Sequence, residues 1–295
     1  MPQTIQIETP REFDFAHCLT FLNRSPNEIL HRSDATSVEK ALHFGSRTLL
    51  FEVRAPSKNE LSASILNLKP TATETKRVVQ YIDEWFDLKT DLKPFYKMAR
   101  QDDLLKGLMK KYHGYRIMGH PDLFESLIWA VLGQQINLSF AYTLKRRVVE
   151  KFGTTLEFKN KKYFIFPTPE SLAGILPEQL YPLQLSKQKA SYVVGIAQAF
   201  VEGRINKEKL GKLAFEEAKE ALMMIKGIGN WTANYALMKT FRYPNAFPLE
   251  DAGLHNAIKN QLGLRSKPDL KKVRRIFKKY EGWEAYATIY LWKSL

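Results

Sequence analysis

Cysteine is almost missing from this chain: Cys18 is the only one in 295 residues. That excludes an intramolecular disulfide and any four-cysteine iron–sulfur cluster, and it suits a reducing cytoplasm. Long apolar runs are missing too. The best, Leu127–Leu132, falls far short of the roughly 20 residues a membrane helix needs, so no membrane partner is expected. The N-terminus, MPQTIQIETPREFDF, lacks a basic flank followed by an apolar core, which predicts no signal peptide. No repeat or low-complexity segment interrupts the chain. His17, His31, His43, His113, His120 and His255 show no metal-ligand spacing, so no catalytic metal is expected.

Acidic residues are scarce in one part only. Residues 1–100 carry 14 Lys/Arg against 13 Asp/Glu, whereas residues 101–295 carry 31 against 18, nearly the whole net charge of +14. A surplus confined to the C-terminal two-thirds suggests a surface for a polyanion, with binding that weakens as salt rises.

The length predicts two or three domains. Residues 1–105 read as mixed α/β: a helix over Asp14–Leu22, strands over Arg47–Val53 and Leu61–Leu68, and an amphipathic helix over Thr71–Leu88. Residues 106–295 read as helical throughout. Within them, HPDLFESLIWAVLGQQINLSFAYTLKRRVVEKFG gives an apolar helix, a kink at Gly133-Gln134-Gln135, and a second helix. Two amides ending an apolar helix can simply solvate its end; in DNA repair an amide can instead fill the hole left by an extruded base. Ser186 and Lys187, at the start of another helix, suit either a cap or a phosphate. KKVRRIFKKY (Lys271–Tyr280) is an apolar stripe with six basic residues, read first as a solvated face.

The most informative stretch is ALMMIKGIGNWTANYALMKTFRYPNAFPLEDAGL. A helix is expected over Phe215–Ile225, a break at Gly227-Ile228-Gly229 where either glycine can take φ > 0, and a second helix from about Asn230, a good N-cap. Free N–H groups of such a turn, at a helix N-terminus, make a phosphate site without needing a basic side chain. A bare Gly-Ile-Gly is common punctuation. The aromatic helix behind it and an acid, Asp251, 24 residues after Gly227, are what make it informative.

The order I-x-G-I-G-x-x-T-A, a Pro-containing loop, then Asp resembles the helix-hairpin-helix DNA glycosylase superfamily. With FDFAHCLTFL, LFESLIWAVLGQQ, FPTPESLA and WEAYATIYLW in matching order, the chain resembles its alkylation-repair branch, the DNA-3-methyladenine glycosylase II family. The resemblance covers nearly the whole chain. It implies a mainly α architecture with an N-terminal α/β domain and two helical subdomains around a cleft (hairpin at 215–241, catalytic loop at 242–254).

What the resemblance implies about function follows. The protein is expected to flip alkylated purines of the 3-methyladenine and 7-methylguanine type out of double-stranded DNA and release them, leaving an abasic site. Asp251 matches the catalytic acid, where a carboxylate stabilises an oxocarbenium-like state or activates water. Trp231, Tyr235 and Trp292, with Phe21 from the N-terminal region, match the base pocket, whose rings would stack an electron-deficient base. Lys226, Gly227, Gly229, Thr232, Gln134, Gln135, Ser186 and Lys187 are the expected DNA contacts. Gln135 stands at the family's wedge position, with Gln134 the alternative. Bifunctional relatives carry a lysine two positions after the second hairpin glycine; Trp231 stands there, so no strand cleavage is expected. Ala252 follows the acid where a relative can carry an aromatic. Glu250 is a second acid, but neighbours in a chain seldom aim at one point. No cofactor is expected beyond a hydrated monovalent ion at the hairpin, not required for the chemistry. The family pattern implies a monomer, cytoplasmic and nucleoid-associated. Two other readings remain: a glycosylase for oxidised or deaminated purines, and a non-enzymatic DNA-binding module.

Overall fold

A computed structural model describes residues 4–295. The N-terminal region builds a five-stranded antiparallel sheet from β1 (Thr4–Glu8), β2 (Arg32–Ser33), β3 (Ser37–Phe44), β4 (Arg47–Ser57) and β5 (Glu60–Ile65), in the order β1-β5-β4-β3-β2. The two strands expected here are β4 and β5. Their alternation puts Leu49, Phe51, Val53, Leu61 and Ala63 into the core. α1 (Phe15–Leu22) starts at Asp14, whose carboxylate accepts the His17 N–H. α2 (Ala72–Trp85) starts at Thr71 in a capping box with Glu74.

Twelve further helices follow among the described residues: α3 (Lys93–Ala99), α4 (Lys106–Lys111), α5 (Leu123–Gly133), α6 (Leu138–Phe152), α7 (Pro169–Ala173), α8 (Lys187–Val201), α9 (Lys207–Leu210), α10 (Phe215–Met223), α11 (Asn230–Phe241), α12 (Ala252–Gln261), α13 (Leu270–Phe277) and α14 (Glu284–Trp292). Within them lies a departure from the expected all-helical stretch. β6 (Thr154–Phe158) and β7 (Lys161–Ile165) form a hairpin whose turn residues, Lys159 and Asn160, are left-handed at φ 47° and 58°. Its Tyr163 and Ile165 pack on Ala41 and Leu50 of the N-terminal sheet.

Two large cores result. One joins the sheet and α1–α4 to α12–α14; it therefore draws residues from both sides of position 105. The other joins α5, α6 and α8 to α10 and α11. A smaller aromatic cluster of Trp129, Tyr142 and Tyr235, edged by Trp231 and Trp292, lies where elements of the two meet. Among the described residues, no helix is long and apolar enough to cross a membrane.

Candidate active site and DNA-binding face

Asp251 is the N-cap of α12, and its placement is fixed by three donors. Oδ1 accepts the Leu254 N–H at 2.6 Å and the Trp292 indole N–H at 2.7 Å; Oδ2 accepts the Trp231 indole N–H at 3.0 Å. The two indoles come from α11 and α14, so three helices converge on one carboxylate. A Cβ at Gly253 would stand 3.0 Å from Oδ1, which leaves little room on the helix side.

Three of the four expected pocket rings surround this carboxylate's indoles. Trp231 stacks on Tyr235 at 5.3 Å between centroids, and Tyr235 lies 6.3 Å from Trp292. The Tyr235 hydroxyl accepts the indole N–H of Trp129 at 2.8 Å, and Trp129 packs against Tyr142 at 4.7 Å. Burial pushes the Tyr235 hydroxyl up to about 12, so it stays protonated. Phe21, in the last turn of α1, presents its ring from the N-terminal region, but that ring carries the Arg24 guanidinium at 3.7 Å.

The loop leading to Asp251 is tied to α11 by Asn234. This buried side chain accepts the Phe247 N–H at 2.9 Å and donates to the Asn230 carbonyl. His255 bonds the Leu249 carbonyl through Nε2, a structural role. Glu250 is exposed and takes both of its bonds from the Asn230 amide, so it does not join Asp251.

At the hairpin, α10 stops at Met223, and Gly227 alone of the two glycines takes a positive φ, 97°. A Cβ there would meet the Tyr192 ring at 2.3 Å. The N-cap is Gly229 rather than Asn230; it has no side chain to bond the first-turn N–H groups of α11, and uncapped N–H groups at a helix start suit an anion. These residues, with Lys226, Gln134, Gln135, Ser186, Lys189 and Tyr192, line a groove of about 450 Å³. Lys187 lies beside it, exposed in the first turn of α8, where Ser186 caps by accepting the Lys189 N–H.

The two amides separate cleanly. Gln134 turns inward, donating to the Gly227 carbonyl and to the Thr232 hydroxyl, both at 3.0 Å. Gln135 is exposed and left-handed at φ 55°. Thr232 is buried with its hydroxyl taken by Gln134, so what it can offer a phosphate is its backbone N–H in the first turn of α11. The hairpin carbonyls suit a hydrated cation: Ile225, Gly227 and Gly229 each accept one N–H and keep a second lone pair. Among the described residues, no group of three or more His, Cys, Asp and Glu side chains could hold a metal ion.

Sequence reasoning missed Arg24, Trp129, Tyr142 and Asn234. Trp129 and Tyr142 look like ordinary core on apolar helix faces, and only the fold shows that they back the pocket. Arg24, three residues after Phe21, carried the one visible signal: a cation one turn beyond a pocket ring.

The family model described as HhH-GPD superfamily base excision DNA repair protein matches residues 128–281, and the one for the 8-oxoguanine DNA glycosylase N-terminal domain matches residues 10–127. A DNA-3-methyladenine glycosylase of Bacillus subtilis is 41% identical over 293 residues, covering 99% of this chain and 97% of that one. A 3-methyladenine DNA glycosylase from Archaeoglobus fulgidus shares the fold at a TM-score of 0.85, with 24% identity and 98% and 97% coverage. A Schizosaccharomyces pombe 3-methyladenine DNA glycosylase, solved with abasic DNA, matches at a TM-score of 0.58 and 27% identity, over 67% of this chain and 93% of that one.

Proposed function

The chain belongs to the HhH-GPD superfamily of base excision DNA repair proteins, and from that premise we propose that it is a monofunctional glycosylase releasing alkylated purines from duplex DNA. The observation that carries this reading is the Asp251 carboxylate held between the indole N–H groups of Trp231 and Trp292. A carboxylate so fixed can face the sugar without reorganising as positive charge develops at C1′, which is where preorganised electrostatics counts most. A purine alkylated at N3 or N7 is already cationic, so it needs no acid to leave. The indole and phenol faces beside Asp251 suit such a base through cation–π attraction, worth about 0.5–2 kcal/mol. The names of the Bacillus subtilis and Schizosaccharomyces pombe relatives, both 3-methyladenine glycosylases, support the same substrate class.

On the DNA side, the uncapped N–H groups at the start of α11 and the groove with Lys189 and Lys226 suit the backbone. Gln135, exposed while Gln134 is bonded to the hairpin, suits the wedge that replaces the extruded nucleotide. A hydrated monovalent ion at the hairpin carbonyls would add positive charge near a phosphate and takes no part in bond cleavage. Strand cleavage would require an amine at the sugar. Trp231 fills the lysine position, and Lys239 lies eight residues, about 12 Å, further along α11, against Phe21. A monomer acting in the cytoplasm on nucleoid DNA fits these features.

The test is release of methylated purine from alkylated duplex by wild type and Asp251→Asn, with binding measured in parallel. Asn keeps the N-cap, so the variant is expected to fold and bind normally while release falls at least about 10²–10³-fold. Equal release by the variant would remove Asp251 from the mechanism. No release by wild type, with DNA binding intact, would reject the alkylpurine reading.

A further inference from the structure

Among the described residues Arg24 is the cation that lies closest over an expected pocket ring, that of Phe21. It follows α1, and although the residue is exposed along its length, its head group turns inward. The guanidinium carbon lies 3.7 Å from the Phe21 centroid and 5.4 Å from that of Tyr142, and Nε–H donates to the Tyr142 hydroxyl at 2.5 Å. Tyr142 packs on Trp129, and Trp129 bonds Tyr235, which stacks on Trp231 beside Asp251. Arg24 thus closes the aromatic chain at the end opposite the carboxylate. Nε is the guanidinium nitrogen bonded to protein among the described residues, which leaves the Nη donors for something else. Two amines lie nearby, Lys239 at 4.9 Å from Phe21 and Lys293 at 5.1 Å from Tyr115. Burial pushes the Lys239 amine well below its ordinary range and lowers that of Lys293, whereas a guanidinium keeps its charge.

We propose that Arg24 is a specificity-determining residue of the base pocket: its guanidinium plane stands in for the Phe21 face and sets how fast uncharged purines leave relative to cationic ones. This rests on the glycosylase reading above. In both cases the C1′–N9 bond breaks with its electron pair going to the base, water oxygen bonds to C1′, and one water proton passes to the Asp251 carboxylate. A cationic alkylpurine leaves neutral: a fixed positive charge repels it while it is bound, that repulsion is relieved as the bond breaks, and relative to free DNA the departing base neither gains nor loses. An uncharged purine such as hypoxanthine leaves as an anion that later takes a proton from solvent. There the guanidinium N–H groups, planar and paired, face developing negative charge in a site with no second acid, because Glu250 is turned to Asn230. A base reaching Phe21 also finds a flat cation that can stack on it, in place of a bare phenyl ring.

The experiment is base release from two duplexes, one with hypoxanthine and one with 7-methylguanine, followed at subsaturating concentrations so that the rate reads kcat/KM, by wild type, Arg24→Gln and Arg24→Lys, with melting temperatures alongside. In Arg24→Gln the hypoxanthine rate is expected to fall at least tenfold more than the 7-methylguanine rate. Arg24→Lys, which keeps the charge and loses the planar stack, is expected to give an intermediate ratio. Equal falls on both substrates, or an unchanged ratio in both variants, would overturn the proposal. So would a wild type that releases 7-methylguanine and no hypoxanthine. Release of neither base by wild type would instead reject the underlying glycosylase reading.

Discussion

The indoles on Asp251 have two separable roles in the proposed mechanism: their N–H groups orient the carboxylate, and their rings would face a base. Trp292→Phe separates them. It keeps an aromatic face on α14 and deletes the 2.7 Å donor to Oδ1, leaving that oxygen held by the Leu254 N–H alone. Because a hydrogen bond to a charged group contributes about 1.5–3 kcal/mol, the expected loss in the chemical step is roughly 10–100-fold. Affinity for abasic or undamaged duplex should stay near wild type. Single-turnover release combined with a binding titration checks this, and a loss confined to binding would show that the indole matters as a surface. Trp231 is less suitable for the same test, since its stack on Tyr235 couples ring position to the rest of the pocket.

Among elements, the hairpin depends on Gly227 for two reasons at once. Its φ of 97° strains any residue with a side chain, and a Cβ would press into the Tyr192 ring at 2.3 Å. Tyr192 belongs to α8, so Gly227→Ala must push the hairpin away from α8 and open the groove. The expected outcome is a stability loss of about 1–3 kcal/mol and a weaker affinity for undamaged duplex as well as damaged. Gly229, with φ −91° and open space at its Cβ position, should tolerate alanine much better. Denaturation midpoints and duplex titrations of the two variants compare them directly, and equal behaviour would contradict the assigned difference. This contrast shows what was legible in the sequence. The glycine pair, the acid 24 residues on and the aromatic helix are local signals, and they located the hairpin and Asp251. Which glycine is left-handed depends on Tyr192, 35 residues away, and so could not be read. The β6–β7 hairpin was hidden for a related reason. Its turn is Lys159-Asn160, without the glycine that usually marks one, and its apolar face is explained only by the distant sheet it covers.

At the scale of the molecule, the N-terminal region is fastened to the helical part by charges buried beneath the pocket. Lys145 of α6 bonds Glu28 at 2.9 Å and Glu125 of α5 at 3.1 Å, and Lys40 of β3 donates to the Leu30 carbonyl at 3.1 Å. None of this was legible, because Glu28 and Lys145 are 117 residues apart and each reads alone as a surface charge. His31 sits in the same cluster, donating Nε2–H to the Leu22 carbonyl. Burial, with Lys40 and Lys145 adding to it against the pull of Glu28, pushes its imidazole down from 6.5 to about 4. The Glu28 carboxyl, set against Lys145, falls from 4.5 to about 2 despite its burial. Both folded values lie below the unfolded ones, so the unfolded chain binds more protons and stability falls as pH falls. The His31 contribution is complete above 6.5 and is lost as pH drops toward 4; that of Glu28 is complete above 4.5 and is lost toward 2. Asp87, raised by burial from 3.8 to about 6, acts with opposite sign and offsets part of the His31 effect. His31→Gln isolates one term, since the amide can still donate to Leu22 and does not titrate. Between pH 7 and pH 4.5, the variant should lose roughly 2–3 kcal/mol less stability than wild type. Urea unfolding at the two pH values gives that difference, and parallel losses would mean that His31 titrates as it does in the unfolded chain.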